Sequence, residues 1–298
     1  MNKKIRNILS VILIVTTLLC FLCGCNIEGI NYYNDEYYSQ ESDAFNGDLR
    51  VHFLDIGQGD CALVETSDGY ILIDAGETDS KDPIIEYIDS MGITQFEYAI
   101  FTHPHSDHIG SASTLLEKYT FNNVILPNAV STTKIYEKLL DAVETEGCEV
   151  ILGEAGKSFT LGDALIEIFA PTSDYDADDL NNMSIVAKLT YGDVSFLFTG
   201  DAEKKSEKAI LSAKYDVSAD VLKVGHHGSN TSSCEEFLNA VAPTVAVISA
   251  GEDNEYGHPH SETVQRLDEL KADMYVTYEV GNIVISTDGV AFGVSTEK

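Results

Sequence analysis

Seven of the eight histidines in this chain fall in three tight groups, at residues 103/105/108, 226/227 and 258/260. Histidines scattered for packing or solubility do not group this way. The densest group is His103-Pro104-His105-Ser106-Asp107-His108. It follows a short apolar run, Tyr98–Phe101, that reads as a buried strand, and it precedes a helical pattern over Ile109–Tyr119. A strand end is rigid, so the alternate residues His103 and His105 can aim their imidazoles at one point. Asp107 and His108 turn into the helix start and face a second point close by. Imidazole and carboxylate in this mixture suit zinc or another divalent first-row metal.

Other strand ends supply matching pieces. In Phe198-Thr199-Gly200-Asp201 an apolar strand delivers one carboxylate after a glycine. Its two oxygens let Asp201 bridge two metals; the plain alternative is a cap for the helix that begins near Glu203. Val224-Gly225-His226-His227-Gly228-Ser229 is again strand then turn. One of its histidines completes the second metal site, with His226 the first choice, and the other faces substrate as electrophile or proton donor. In Tyr256-Gly257-His258-Pro259-His260 the choice lies between substrate contact or support of the ligands and a surface loop. Asp55 and Asp74 each follow an apolar strand and precede small residues. Buried there, they would orient the ligating imidazoles from behind; otherwise they cap loops. His52 stands alone in the first strand and reads as structural.

Strand and helix patterns alternate from Asp48 onward. Leu49–Ile56 stops at Gly57, and Ala62–Glu65 with Tyr70–Ile73 forms a hairpin around Ser67-Asp68-Gly69. Pro83 opens a helix carrying Ile84, Ile85 and Ile88. Strands at 165–169, 184–189, 194–198, 221–224 and 245–248 are interleaved with helices at 203–213, 234–241 and 261–272. Strands at 283–286 and 290–293 close the chain. Hairpins at both ends with helices between predict an α/β fold of two mixed sheets packed face to face and covered by helices.

The remaining sequence bounds the context. Lys3, Lys4 and Arg6 precede the apolar stretch Ile8–Leu22, the pattern of an export signal. Leu22-Cys23-Gly24-Cys25 resembles the bacterial lipobox, which implies lipidation of Cys25 and a location at the outer face of the membrane or beyond it. An uncleaved signal anchor is the alternative. Residues 26–47 read as a polar, tyrosine-bearing linker, and 48–298 as one domain. Cys61, Cys148 and Cys234 are odd in number and widely spaced, so no disulfide framework follows. With 49 acidic against 18 basic residues the net charge is −31. That disfavours a nucleic-acid duplex as partner, since no basic stripe is visible.

Taken together, Phe53-Leu54-Asp55-Ile56-Gly57-Gln58-Gly59-Asp60, Ile71 to Gly76, Thr102 to Gly110, Phe198 to Ala202, Leu222 to Ser229 and Tyr256 to His260 resemble the metallo-β-lactamase fold superfamily. Within it they resemble the hydrolase domain of the ComEC/Rec2-type competence proteins. The resemblance implies a four-layer αββα sandwich holding two divalent metal ions, zinc first and manganese as the alternative. His103 and His105 would hold the first metal. Asp107, His108 and either His226 or His227 would hold the second, with Asp201 bridging. Many members of the superfamily carry a further histidine between the first cluster and the bridging aspartate. No histidine lies between 108 and 226 here. Asn181-Asn182-Met183-Ser184 occupies the matching region, leaving the first metal with fewer strong ligands.

The expected activity is metal-dependent hydrolysis of a phosphodiester or phosphate ester, from nucleic acid or a phosphorylated cell-surface component, and small or local in extent. Asp107, His227 and His258 are expected to take part in catalysis. Asn181, Asn182, Ser229 and His260 are expected to contact substrate or support the ligands, alongside Asp55 and Asp74. Two alternatives stand beside it: hydrolysis of a lactone, amide or thioester, and a surface lipoprotein that binds metal without turnover.

Overall fold

The computed structural model describes residues 47–172 and 179–298. The predicted signal at 1–25, Cys25 with it, and residues 26–46 of the predicted linker lie outside the described residues. The chain begins with β1 (Leu49–Phe53), β2 (Ala62–Thr66) and β3 (Gly69–Ile73), joined antiparallel, and continues into β4 (Gln95–Ile100), β5 (Thr120–Leu126) and β6 (Glu149–Leu152), which run parallel. A second sheet follows. Its β7 (Ser158–Leu161), β8 (Ala164–Ala170), β9 (Val186–Tyr191) and β10 (Val194–Phe198) are antiparallel. Its β11 (Val221–Lys223), β12 (Val245–Ile248) and β13 (Asp273–Val276) add parallel. The chain then returns through β14 (Ile283–Thr287) and β15 (Phe292–Thr296) to the edge of the first sheet. The strand orders are β15-β14-β1-β2-β3-β4-β5-β6 and β13-β12-β11-β10-β9-β8-β7.

Side-chain alternation decides which face goes where. Val51, Phe53, Ile71 and Ile73 from the first sheet meet Phe196, Phe198 and Ile166 from the second, in a buried layer between the sheets. The Phe53 and Phe198 rings stack across it with centroids 6.0 Å apart. The intervening residues point outward: Leu63 and Leu72 under helices of the first sheet, Leu197 and Leu222 under helices of the second. The first set of helices is α1 (Lys81–Ser90), α2 (Ser106–Ile109), α3 (Ala112–Lys118) and α4 (Lys134–Glu146). The second is α5 (Lys204–Ala213), α6 (Glu235–Val241) and α7 (Ser261–Glu269), with the short α8 (Thr277–Val280) after β13. Three apolar layers, helix–sheet, sheet–sheet and sheet–helix, give the expected four-layer αββα sandwich.

Several local features depart from the expected pattern. The helix predicted over 109–119 is two, broken at Gly110-Ser111. The Gly110 N–H donates to Gly76 O at 2.8 Å and the Ser111 N–H to Ala75 O at 3.3 Å. The backbone of Glu77 and Thr78 lies where a Cβ on residue 110 would stand, so only glycine permits this approach. The break ties the histidine loop to the loop that follows β3. Strand β5 carries Asn122 and Asn123, poor strand formers. Both amides bond across to Glu97 on β4, at 2.6 Å and 2.9 Å, which compensates. The closing strand falls at Phe292–Thr296 rather than 290–293, because the Asp288 carboxylate accepts the N–H groups of Val290 and Ala291 and holds that stretch in a turn.

Candidate metal centre

The carboxyl ends of parallel strands are where ligands gather in such sheets, and here β3, β4, β10 and β11 all end at one place. Backbone hydrogen bonds lock the ends together: Asp74 N to Ile100 O at 2.9 Å, His226 N to Gly200 O at 3.0 Å, and Ile185 N to Thr102 O at 2.9 Å between the two sheets. Gly200 has φ +48°, with the Thr102 side chain packed against its Cα face. A Cβ there would strain the backbone and collide with Thr102, so glycine is what allows Asp201 to be delivered inward.

Asp201, 1 % exposed, sits at the centre. Its Oδ1 faces His108 Nε2 at 3.1 Å and His227 Nε2 at 3.6 Å. Its Oδ2 faces His103 Nε2 at 3.6 Å. Asp107 Oδ2 approaches His227 Nε2 at 3.1 Å and His108 Nε2 at 3.9 Å, while His105 Nδ1 stands 3.0 Å from His103 Nε2. Two groups of donor atoms result, each within 4.8 Å: Asp107, His108, Asp201 and His227 in one, and His103, His105 and Asp201 in the other.

The donor set fits divalent metal ions. His108 Nε2 and Asp201 Oδ1 are buried and face each other at 3.1 Å without the alignment of a hydrogen bond, so they satisfy one another only as an ion pair, when the imidazole is protonated. Orphaned buried polar atoms are costly, and a cation between them satisfies both. The cluster's demand for positive charge points the same way. Burial pushes an imidazole down, as it does at His103, which lies well below its ordinary range. Burial also opposes charge at His108 and His227, but the carboxylates outweigh it. Asp201, Asp74 and Asp107 lift His108 well above its usual range, and Asp201 and Asp60 lift His227 to about 10.

Behind the donors lies a second ring of contacts. Asp74 Oδ2 accepts from His108 Nδ1 at 2.8 Å and from the Thr102 hydroxyl at 2.7 Å, and Asp74 Oδ1 accepts from Thr102 N at 2.7 Å. Asp74 therefore lies directly behind the His108 ring, bonded to its Nδ1. Asp55 is a correction. Its carboxylate pairs with Lys298 Nζ at 3.2 Å and its N–H donates to Asn282, away from the cluster. Strand β1 ends at Phe53 and the chain turns through Gly57 and Gly59, both at positive φ. The carboxylate delivered to the site is therefore Asp60, 3.3 Å from His227 Nδ1 and 2.8 Å from Lys223 Nζ. Neither Asp60 nor Lys223 was singled out from sequence. The signal was present in the second glycine of Gly57-Gln58-Gly59, which lets the chain reverse.

The choice of His226 as the second metal's ligand is also corrected. His227, 1 % exposed, joins Asp107 and His108, with Nδ1 donating to Ser249 O at 3.0 Å. His227 therefore looks into the carboxylates rather than out at substrate alone. His226 lies on the opposite side of Asp201, with Nε2 3.6 Å from Oδ2.

Both line a cavity of about 370 Å³, together with Gln58, Asn181, Tyr256 and His258. His258 is held down at about 4 by burial and by the charge of His227 and His226, so at neutral pH it offers a hydrogen bond and not a charge. Asn182 does not reach the cavity. Its Oδ1 accepts from Glu203 N and Ser206 N and caps α5. His260 Nδ1 accepts from Asn230 N at 3.0 Å, and Ser229 Oγ pairs with Thr231 Oγ1 at 3.0 Å; both brace the 229–231 loop. His52 lies elsewhere, between Tyr87 and Glu65, as a structural residue.

A family model described as Metallo-beta-lactamase superfamily matches residues 54–252. The chain belongs to the metallo-beta-lactamase superfamily. Within the superfamily its type is that of the ComEC/Rec2 competence proteins. It is 34 % identical over 251 residues to ComE operon protein 3 of Bacillus subtilis (strain 168), covering 78 % of this chain and 32 % of that protein. It is 31 % identical over 242 residues to Recombination protein 2 of Haemophilus influenzae, covering 80 % and 29 %. The chain thus spans about a third of the length of these curated relatives. Among solved structures, the metallo-beta-lactamase fold protein YhfI from Bacillus subtilis aligns with a TM-score of 0.55 at 12 % identity, over 79 % of this chain and 98 % of that one. This is a likeness of fold alone.

Proposed function

We propose that this superfamily member is a metal-dependent hydrolase of small phosphodiesters. The observation that carries the reading is the placement of Asp201, whose two oxygens face separate sets of imidazoles. That arrangement suits two ions, zinc first and manganese second. When bound, such ions would supply an activated water and neutralise the charge that develops on the phosphoryl oxygens. The protein's own part is to hold the donors still and shape the cavity. Asp74 and the Ser249 carbonyl fix the ring planes of His108 and His227 from behind, and the Asp60 carboxylate lies beside His227 Nδ1. His258 offers one uncharged hydrogen bond toward the cavity, and Asn181 and Gln58 line its wall. No lysine or arginine lines this cavity among the described residues. A long duplex would need such cations along its phosphates, so a short or single phosphodiester is the better match.

The test uses the full chain, stripped with a chelator and reloaded with Zn²⁺ or Mn²⁺. Turnover of bis-p-nitrophenyl phosphate is expected to return with one of the metals. Nitrocefin and a lactone serve as parallel substrates. Hydrolysis of either of these with no phosphodiester turnover would move the activity to carboxyl derivatives.

We also propose that the chain sits at the outer face of the bacterial membrane, held by lipid on Cys25. The support is the basic start, the apolar Ile8–Leu22 and the lipobox-like Leu22-Cys23-Gly24-Cys25. Cells fed a labelled fatty acid should label this chain, and Cys25→Ser should abolish the label. Label retained in C25S rules out that anchor.

A further inference from the structure

The geometry points to His226 as the third imidazole of the first metal site, in place of the histidine missing between residues 108 and 226. The inference rests on the two-metal reading above and adds which residue completes its weaker half. Asp201 Oδ2 has His103 Nε2 on one side at 3.6 Å, and His226 Nε2 stands at the same 3.6 Å from that oxygen. His226 Nε2 is thus as near to Oδ2 as His227 Nε2 is to Oδ1. It stands outside the set of His103, His105 and Asp201 donors that lie within 4.8 Å of one another, so an ion held there would have to draw its ring inward.

A strained backbone produces this division. His226 and His227 are consecutive residues in the left-handed region, at φ 51° and 53°. Non-glycine residues rarely adopt that conformation, and two in succession persist only where the surroundings impose them. Here His226 N donates to Gly200 O at 3.0 Å and Ser229 N donates to His226 O at 2.8 Å, clamping the turn against the Asp201 loop. The turn splays two neighbouring imidazoles to opposite oxygens of one carboxylate, with ring centroids 6.2 Å apart. An ordinary strand or helix would not place successive side chains so.

The far side of the His226 ring is held as a ligand's is. Nδ1 lies 3.2 Å from Thr231 Oγ1 and 3.4 Å from Glu203 Oε1. Thr231 itself donates to Glu203 Oε1 at 2.8 Å, and Asn181 Nδ2 reaches the same oxygen at 3.4 Å. With its own proton given to Glu203, the Thr231 oxygen is left to accept from Nδ1, which turns the Nε2 lone pair toward the metal side, as support behind a ligating histidine does. In the segment that replaces the missing histidine, the Asn182 carbonyl oxygen is committed to the start of α5. Asn181, whose Oδ1 is buried without a hydrogen-bond partner, offers only a neutral amide oxygen, a weaker donor than imidazole for zinc.

The experiment is metal titration of the full chain after chelation, followed by calorimetry and by electron paramagnetic resonance with Mn²⁺ alone. Wild-type protein is expected to take up two ions and show the signal of a coupled pair. His226→Asn, chosen because asparagine tolerates the left-handed backbone, should retain one ion at the Asp107–His108–His227 site. It should lose affinity for the other by about 100-fold, with the signal of an isolated ion. Glu203→Gln should weaken the same ion by about tenfold and leave the second untouched, the scale seen when support behind a ligand is removed. Circular dichroism of the chelated proteins checks that both variants fold. Wild-type protein binding fewer than two ions would sink the two-metal reading itself. Wild-type protein binding two, with H226N and E203Q also binding two at unchanged affinity, overturns the assignment of His226 alone.

Discussion

Replacing Asp201 with asparagine is expected to remove both metals and to lower phosphodiester hydrolysis by at least about a thousandfold, a barrier increase of roughly 4 kcal/mol. The expectation follows from where its oxygens sit. Oδ1 belongs to the group of Asp107, His108 and His227, and Oδ2 to that of His103 and His105. No other side chain is shared by these two groups. Asparagine preserves the shape, including the Asp201 N–H that donates to Ser184 Oγ at 3.1 Å. It removes the charge and turns one face into a hydrogen-bond donor aimed at an imidazole. Loss of support behind a single ligand costs about 10–100-fold, and a residue serving two ions at once should cost more. Metal content by mass spectrometry and turnover of bis-p-nitrophenyl phosphate give the two readouts. Chelated D201N and chelated wild-type protein should share one circular dichroism spectrum, which separates loss of metal from loss of fold. Two ions retained, with activity within tenfold of wild type, would remove Asp201 from the centre of the chemistry.

How much of this was legible in the sequence depended on whether a signal was local. His103, His105, Asp107 and His108 could be read because one strand end and one helix start carry all four. The central position of Asp201 could be read because an apolar strand and a glycine precede it. The exchange between Asp55 and Asp60 could not be settled locally. Both lie in one glycine-rich loop, and only the three-dimensional turn through Gly57 and Gly59 decides which carboxylate enters. The order of His226 and His227 was hidden for a related reason. Their backbone lies outside both regular periodicities, so neither a strand nor a helix rule assigns a direction to either ring. Asn182 was expected near substrate or ligands because its segment occupies the position of a ligand in other members. Its carbonyl instead fastens α5, a capping role that needs the helix start beside it in space. Strands β5, β6, β7 and β13 escaped the sequence pattern: β6, β7 and β13 are edge strands with one solvated side, and β5 is interrupted by Asn122 and Asn123. Val150 on β6 is 54 % exposed.

Substituting Lys223 by methionine should cost about 3–5 kcal/mol of folding stability at neutral pH, although lysine residues are ordinarily among the least consequential to replace. Lys223 and Asp60 are 4 % and 5 % exposed, with Nζ 2.8 Å from Oδ2, and Lys223 also donates to Val224 O at 3.1 Å. The pair lies between the two sheets and beneath His227. Methionine fills nearly the same volume, so packing is largely kept, and the cost comes from removing the nearer of the two cations, Lys223 and His227, that compensate a buried carboxylate. The double variant K223M/D60N should recover most of the loss, since removing both partners leaves no uncompensated charge. The pH dependence has a definite sign. Burial pushes the Asp60 carboxyl up, but the charges of Lys223 and His227 outweigh it and hold the group below its ordinary value. A carboxyl depressed in the folded state adds stability above its unfolded value, near about 3.9. That stability fades as the pH falls toward the depressed value. The gap between wild type and K223M should therefore be full at pH 7 and narrow below about pH 4. Denaturant titration of the chelated proteins measures it, which keeps metal binding out of the comparison. A K223M midpoint equal to that of wild type at pH 7 would mean that Asp60 finds another partner. His227 would then be held by Ser249 O, 3.0 Å from its Nδ1, without need of the carboxylate behind it.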